Sequence, residues 1–304
     1  MAGDEMNSTI DLIISSPYQI HHQLIYKQDK DIKIMKTIVI TGASSGIGKA
    51  TAKHFAAQGW KVAATMRTPE KETELSNIQN ISLYQLDVTD QVSIDAATAK
   101  ILSDNETVDV VLNNAGYGLV GPFEAASADQ IRQQFDTNVF GLMEVTRAFL
   151  PHFRANKAGL FLNVSSIGGL ITFPLISLYH STKWAVEGFS ESLAYELNEL
   201  GIGVKVIEPG GVSTDFGGRS MTFAMDENLP DYNEMVGKFQ KAMGASGLGA
   251  STAEFLAEGI YAAATDGKKQ MRYIIGPDAE QMYGMRQQAG DDAFIEGMRQ
   301  RMLG

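Results

Sequence analysis

Apolar positions along this chain change their period repeatedly, and the changes read as strands alternating with helices. Thr37-Ile38-Val39-Ile40 is a β-branched run of strand type. It breaks at Thr41-Gly42, after which apolar residues return at helical spacing (Ala50, Ala52, Phe55, Ala56) until Gly59 closes the pattern. Further strands are expected over Trp60–Thr65, Ile81–Leu86, Val108–Leu112, Leu160–Val164 and Val204–Ile207, with a last one over Arg272–Ile275. Helical periodicity lies between them. It runs over Asp90–Ser103, over Ser127–Phe153 as one long helix with Asn138 in its middle, and over Leu178–Leu200, which Gly201 stops. Ser251–Ala264 reads as another helix and Asp278–Leu303 as a terminal helix or helices.

This alternation, without hairpin signals, predicts an α/β fold: a mostly parallel sheet with helices on both faces. In such sheets ligands lie beyond the carboxyl ends of the strands. Gly42, Arg67, Asp87, Asn114, Ser166 and Pro209 all fall at such ends.

Composition narrows the picture. The 304 residues are 44% hydrophobic and 20% charged, ordinary for a globular protein with a sizeable core. A formal net charge of −11 argues against a nucleic-acid partner. With no cysteine, disulfides, cysteine–zinc sites and thiol catalysis are excluded, and a cytoplasmic setting fits. No apolar run is long enough to span a membrane. The histidines are scattered, with only His21 and His22 adjacent, so no metal site is expected.

Residues 1–34 stand apart. Short apolar pieces are broken by Asp11 and Pro17, and Asp4 and Glu5 precede them, unlike a signal peptide. The folded domain is expected to begin at Met35, and deleting 1–34 is expected to leave activity and melting temperature nearly unchanged.

Candidate chemistry begins at the first turn. Strand, Thr41-Gly42-Ala43-Ser44-Ser45-Gly46-Ile47-Gly48, then helix is an arrangement that aims backbone N–H groups and a helix N-terminus at a phosphate. The spacing is G-x-x-x-G-x-G rather than G-x-G-x-x-G. An adenosine ribose with free hydroxyls usually meets Asp or Glu at the end of the second strand. Thr65-Met66-Arg67-Thr68 stands there instead, and the Arg67 guanidinium suits a 2′-phosphate, which favours NADP(H) over NAD(H). Asp87-Val88 is placed to meet adenine.

Tyr179 and Lys183 are four residues apart, so a helix projects both from one face. A free phenol titrates near ~10, and a cation within about 4–6 Å favours the phenolate. The pair can therefore do proton chemistry.

Thr41-Gly42-x-x-x-Gly46-x-Gly48, Asn113-Asn114-Ala115-Gly116, Asn138, Ser166, Tyr179-x-x-x-Lys183 and Pro209-Gly210 together resemble the short-chain dehydrogenase/reductase family. The likeness runs from about Met35 to the strand near Ile275. It implies a single Rossmann-type domain binding a nicotinamide cofactor. Tyr179 would be the general acid or base; Lys183 would lower its pKa and hold the nicotinamide ribose. Ser166, selected over Ser165 by the family's thirteen-residue offset to the tyrosine, would hydrogen-bond the substrate oxygen. Ser165 would make a structural bond, and Asn138 would support a water relay behind Lys183. The turn residues Gly42, Ser44, Ser45, Gly46, Ile47 and Gly48 would cradle the cofactor. Asn114, Ala115, Gly116, Pro209, Gly210, Val212 and Thr214 would line it further on. Family members usually form homodimers or homotetramers, and Trp184, Phe189 and Leu193 suit either such a surface or burial.

The expected activity is interconversion of an alcohol and a ketone or aldehyde. The irregular stretch of about 213–250, with Met221, Phe223, Met225 and Met235, reads as a cover for an apolar substrate or as a helical pair packed on the core. Leu119, Val120, Phe123, Leu170, Ile171, Phe173 and Pro174 would form the opposite wall, and His180 is expected to be structural. A cofactor-sensing regulator without catalysis is the rival reading, against which all four candidate catalytic residues are present.

Overall fold

In a computed structural model, residues 35–212, 221–245 and 251–304 are described. The leader 1–34, Thr214 and much of the expected substrate cover lie outside the described residues. Residues Lys36–Gly304 form one compact unit.

Strands β1 (Thr37–Ile40), β2 (Lys61–Met66), β3 (Ile81–Gln85) and β4 (Val110–Asn113) build the first half of the main sheet. Helices α1 (Gly46–Ala57) and α2 (Gln91–Asp104) connect them. A short β5 (Gly118–Val120) leads to α3 (Ala128–Phe135), a π turn over Asp136–Phe140, and α4 (Gly141–Asn156). Then follow β6 (Gly159–Val164), α5 (Ser177–Asn198), β7 (Ile202–Pro209), β8 (Met221–Phe223), α6 (Asn233–Ala245) and α7 (Ala253–Thr265). The chain closes with β9 (Arg272–Ile275), α8 (Pro277–Ala289) and α9 (Asp291–Leu303).

The main sheet has seven strands in the order β3-β2-β1-β4-β6-β7-β9, and every neighbouring pair is parallel. This is a Rossmann-type, doubly wound sheet. Side chains alternate across each strand, so both faces must be apolar when both are covered. Ile38 and Ile40 join Phe55 of α1 and Leu256 and Ile260 of α7 on one face. Val39 joins Ile101 of α2, Phe149 and Phe153 of α4 and Leu197 of α5 on the other. The chain runs outward from β1 through β3 and then resumes at β4 on the opposite side of β1. A crevice therefore opens at the carboxyl ends of β1 and β4.

Two features differ from the pattern-based expectation, and one choice that it left open is resolved. The long helix over Ser127–Phe153 is interrupted: Gly141 N–H reaches back five residues to Asp136 O, widening one turn at Asn138. Residues Gly118–Val120 and Met221–Phe223 pair as a separate two-stranded parallel sheet, too short for its alternation to be visible in sequence. The tail divides at Gly290 into two helices, whose Ala279, Met282, Phe294, Met298 and Met302 join a third apolar cluster with Ile167, Ile171, Ile176 and Phe239.

Candidate active site

Backbone geometry at the first turn follows from its glycines. Gly46 has φ +53°, a left-handed conformation that side chains strain to adopt, and open space where a Cβ would lie. A Cβ on Gly48 would sit 2.5 Å from both Asn114 Nδ2 and Gly42 O, so the helix can meet the turn only without one. Ser45, the residue before α1, makes no side-chain cap, and the first turn of α1 carries no acidic residue. The leading N–H groups of α1 are thus left for an anion, which fits the diphosphate of a dinucleotide.

The two central turns are stapled together. Thr41 Oγ1 accepts from the N–H groups of Asn114 and Ala115 at 2.9 and 3.0 Å. Asn114 Nδ2 in turn donates to Thr41 O at 2.8 Å. Asn114 therefore shapes the crevice with its side chain already engaged. Gly116 follows at the exposed mouth. Arg67 is exposed at the end of β2 and, among the described residues, its side chain makes no ion pair or hydrogen bond. Asp87 Oδ1 accepts from Thr89 N–H and hydroxyl, closing the turn that leads into α2, and Val88 O packs against Gly141.

At the other side of the crevice, Ser166 follows β6 while Tyr179 and Lys183 lie in the first two turns of α5. The Ser166 hydroxyl faces the Tyr179 phenol closely enough to favour its ionised form, and Ser166 Oγ accepts from Gly168 N–H at 3.0 Å. Lys183 Nζ is 5.6 Å from the centre of the Tyr179 ring and donates to Val164 O at 2.8 Å. The expected lowering of the Tyr179 pKa is not met here. Burial pushes the phenol above its ordinary range, with the Ser166 hydroxyl acting in the opposite sense. Lys183 is shifted as well: burial pulls its amine down to about 8, and Glu187 partly offsets this.

Asn138 is buried, and its amide is fully committed. Oδ1 accepts from Tyr117 N–H at 3.0 Å, while Nδ2 donates to Tyr117 O at 2.9 Å and Thr182 Oγ1 at 3.1 Å. Thr182 Oγ1 continues to Tyr179 O at 2.7 Å. The side chain thus ties the π turn, the β4–β5 loop and α5 together. Ser165 also differs from expectation. Its N–H donates to Ile207 O at 2.8 Å, but its buried hydroxyl has no hydrogen-bond partner among the described residues.

His180 points away from the reacting pair into the loop after β6. Its Nε2 accepts from Phe173 N–H at 2.9 Å, which makes Nδ1 the donor to Gly168 O at 2.8 Å. The ring thus braces the segment carrying Ser166, and burial holds its pKa below the ordinary value. Leu170, Phe173, Leu175 and Tyr179 pack against the cluster built from α6, α8 and α9, so the tyrosine borders an apolar surface. Trp184 is exposed under the Arg286 guanidinium, while Phe189 and Leu193 are half-buried.

Pro209 and Gly210 leave β7 at the edge of the crevice, and Val212 forms a bridge with Ser251. Two groups of residues that sequence reading missed hold this region. Asp278 of α8 accepts from Gly211 N–H at 2.6 Å; its only sequence signal is its place next to Pro277 at a helix start. Arg272 links Glu187, Glu191 and Glu208. The signals here were Glu208 near the end of a buried strand and Glu187 one turn beyond Lys183. Among the described residues no cluster of histidine and carboxylate side chains could hold a metal, and no helix is long and apolar enough to cross a membrane.

Comparison with known proteins agrees with this geometry. A family model described as short chain dehydrogenase matches residues 36–223. An uncharacterised oxidoreductase of Schizosaccharomyces pombe is 38% identical over 242 residues, covering 78% of this chain and 99% of that protein. A solved short-chain dehydrogenase from Streptomyces avermitilis superposes with a TM-score of 0.77 at 33% identity, covering 88% of this chain and 96% of the other. ElxO, solved with NADP bound, superposes with a TM-score of 0.68 at 30% identity, covering 81% and 99%. The chain belongs to the short-chain dehydrogenase/reductase family of oxidoreductases.

Proposed function

We propose that this oxidoreductase uses NADP(H) in preference to NAD(H) to interconvert an alcohol and a ketone or aldehyde on an apolar substrate of small to medium size. The observation that carries the reading is that Ser166 faces the Tyr179 phenol, with Lys183 buried beside the ring. A bound nicotinamide supplies or takes the hydride. In the reductive direction the substrate oxygen gains negative charge as hydride reaches its carbon. Tyr179 donates its hydroxyl proton to that oxygen, forming the new O–H bond, and the Ser166 hydroxyl donates a hydrogen bond to the same atom. Lys183 as an ammonium stabilises the phenolate left behind, and oxidation runs these steps backward.

The turn residues Gly42 to Gly48 and the start of α1 would hold the diphosphate, Asp87 and Val88 the adenine side, and Gly210 and Val212 the nicotinamide side. The exposed Arg67, unpaired among the described residues, supports a 2′-phosphate. The apolar cluster beside Tyr179 supports an apolar substrate and excludes water from the reacting atoms. We also expect a homodimer or homotetramer acting in the cytoplasm.

Purified protein with NADPH and a panel of apolar ketones and aldehydes, followed at the nicotinamide absorbance, tests the reading. Cofactor oxidation that depends on one of the carbonyls is expected. Tight NADPH binding without turnover on any of them would replace it with the cofactor-sensing alternative.

A further inference from the structure

Behind Lys183 lies a set of buried ionisable groups that the proposed proton transfer does not use. Glu187, one helical turn beyond Lys183 on the same face of α5, is 6% exposed, as is Lys183 itself. Arg272 Nε, from the start of β9, donates to Glu187 Oε2 at 3.1 Å and lies 3.4 Å from Glu208 Oε1. Glu208, on β7 just before Pro209, is fully buried. Among the described residues, Glu187 Oε1 and both oxygens of Glu208 have no partner at ordinary hydrogen-bond distance, and the two carboxyl groups face each other. The loop bearing Ser166 closes over this set. A Cβ on Gly169 would lie 3.0 Å from Glu187 Oε1 and 2.5 Å from the unpartnered Ser165 Oγ.

A lone buried ammonium is costly and escapes the cost by losing its proton. Lys183 has a carbonyl, Val164 O, as its hydrogen-bond acceptor, which carries no formal charge. The charged side chains facing it and its neighbours are Glu187 and Glu191 on its own helix, Glu208 on β7 and Arg272 on β9. Tyr179 shares its helix face, and Arg286 of α8 touches the outer side of the loop at Leu170 O. Of these, Glu191 is exposed, and Glu208 is held neutral beside Glu187 by burial and like-charge repulsion.

We propose that Glu187 is a positioning residue whose buried carboxylate, paired with Arg272 and packed beside Glu208, keeps Lys183 in its ammonium form. The unit joins the last two strands to the tyrosine–lysine helix. Glu187 touches neither substrate nor cofactor and acts only through Lys183. The proposal rests on the preceding reading only in that Lys183 serves Tyr179.

Cofactor-free protein labelled with 13C at the lysine ε-carbons tests it directly. The resonance lost in Lys183→Arg identifies Lys183, and in the unaltered protein it should titrate at about 8. Glu187→Gln should lower that midpoint by roughly one unit or more, whereas Glu191→Gln, which removes the exposed glutamate on the same helix, should leave it in place. Glu187→Met keeps similar volume without a polar group, and should lower the midpoint equally; it serves if the amide variant does not fold. The alkaline limb of kcat should move down in parallel. An unchanged Lys183 midpoint in the folded Glu187 variant, or an equal fall in Glu191→Gln, would overturn the proposal. Because the titration needs no turnover, it stands or falls separately from the redox reading.

Discussion

Asp278 and Gly211, 67 residues apart in sequence, are joined by a 2.6 Å hydrogen bond from the glycine N–H to the carboxylate. The bond ties the first turn of α8 to the loop that leaves β7, and Gly210 N–H adds a 3.0 Å bond to Ile275 O. The C-terminal helices therefore do more than cover the core. They fix the edge of the crevice assigned to the nicotinamide.

Asp278→Ala removes the buried side chain that accepts from the Gly211 N–H. A loss of about 2 kcal/mol is expected in urea unfolding. Weaker NADPH binding by calorimetry should accompany it, with the Tyr179 chemistry otherwise intact. Unaltered affinity for NADPH would show that the loop holds its shape without the carboxylate.

Tyr179→Phe removes the hydroxyl that faces Ser166, while the ring stays packed against the cluster of α6, α8 and α9. Turnover should fall roughly 10²–10⁴-fold while NADPH affinity is kept. Substantial residual kcat in this variant would remove Tyr179 from the reaction.

Arg67 is the exposed cation at the end of β2 where an acid would suit a free ribose. Arg67→Asp should turn the ratio of kcat/KM for NADPH over NADH toward NADH by about tenfold or more, one charged contact to a phosphate being worth roughly 1.5–3 kcal/mol. The ratio is the measurement, because a general weakening of binding would lower both constants together.

Glu208 connects the buried set to stability. Burial, with Glu187 beside it, pushes its pKa from 4.5 up to about 8. The folded protein then holds a proton that the unfolded chain has already lost, so this group's contribution is full below 4.5 and is lost as pH rises through 8. Urea melts across that interval should show stability drifting down from this source, by an amount on the order of a few kcal/mol. Glu208→Gln, which cannot ionise, should flatten that slope. An identical pH dependence in the variant would mean that Glu208 is not the group responsible.

How far the sequence reached can be judged from particular residues. Ile38, Val39 and Ile40 announced a strand buried on both faces, and Gly48 a turn too close for a side chain, because local pattern and backbone sterics are written in the residues themselves. Ser166, Tyr179 and Lys183 were placed by strand ends and helical spacing, and the structure brings them together. The helix boundary at Asn138 was beyond reach, since one widened turn barely alters an apolar period. Asp278, Arg272 and Glu208 were missed for another reason: their partners are Gly211 and Glu187, and only the fold makes them neighbours.

The sequence by itself therefore determined the alternation of strands and helices, the phosphate-ready turn and the tyrosine–lysine pair, all of which depend on contacts a few residues apart. Tertiary structure alone decided how those groups are charged and held. Burial turns Lys183 into a weak base and raises the phenol of Tyr179, Asn138 is consumed as a brace, and the tail reaches back to the loop after β7. Ionisation in a protein follows the loss of water and the nearness of other charges, and neither quantity exists until distant parts of the chain have packed.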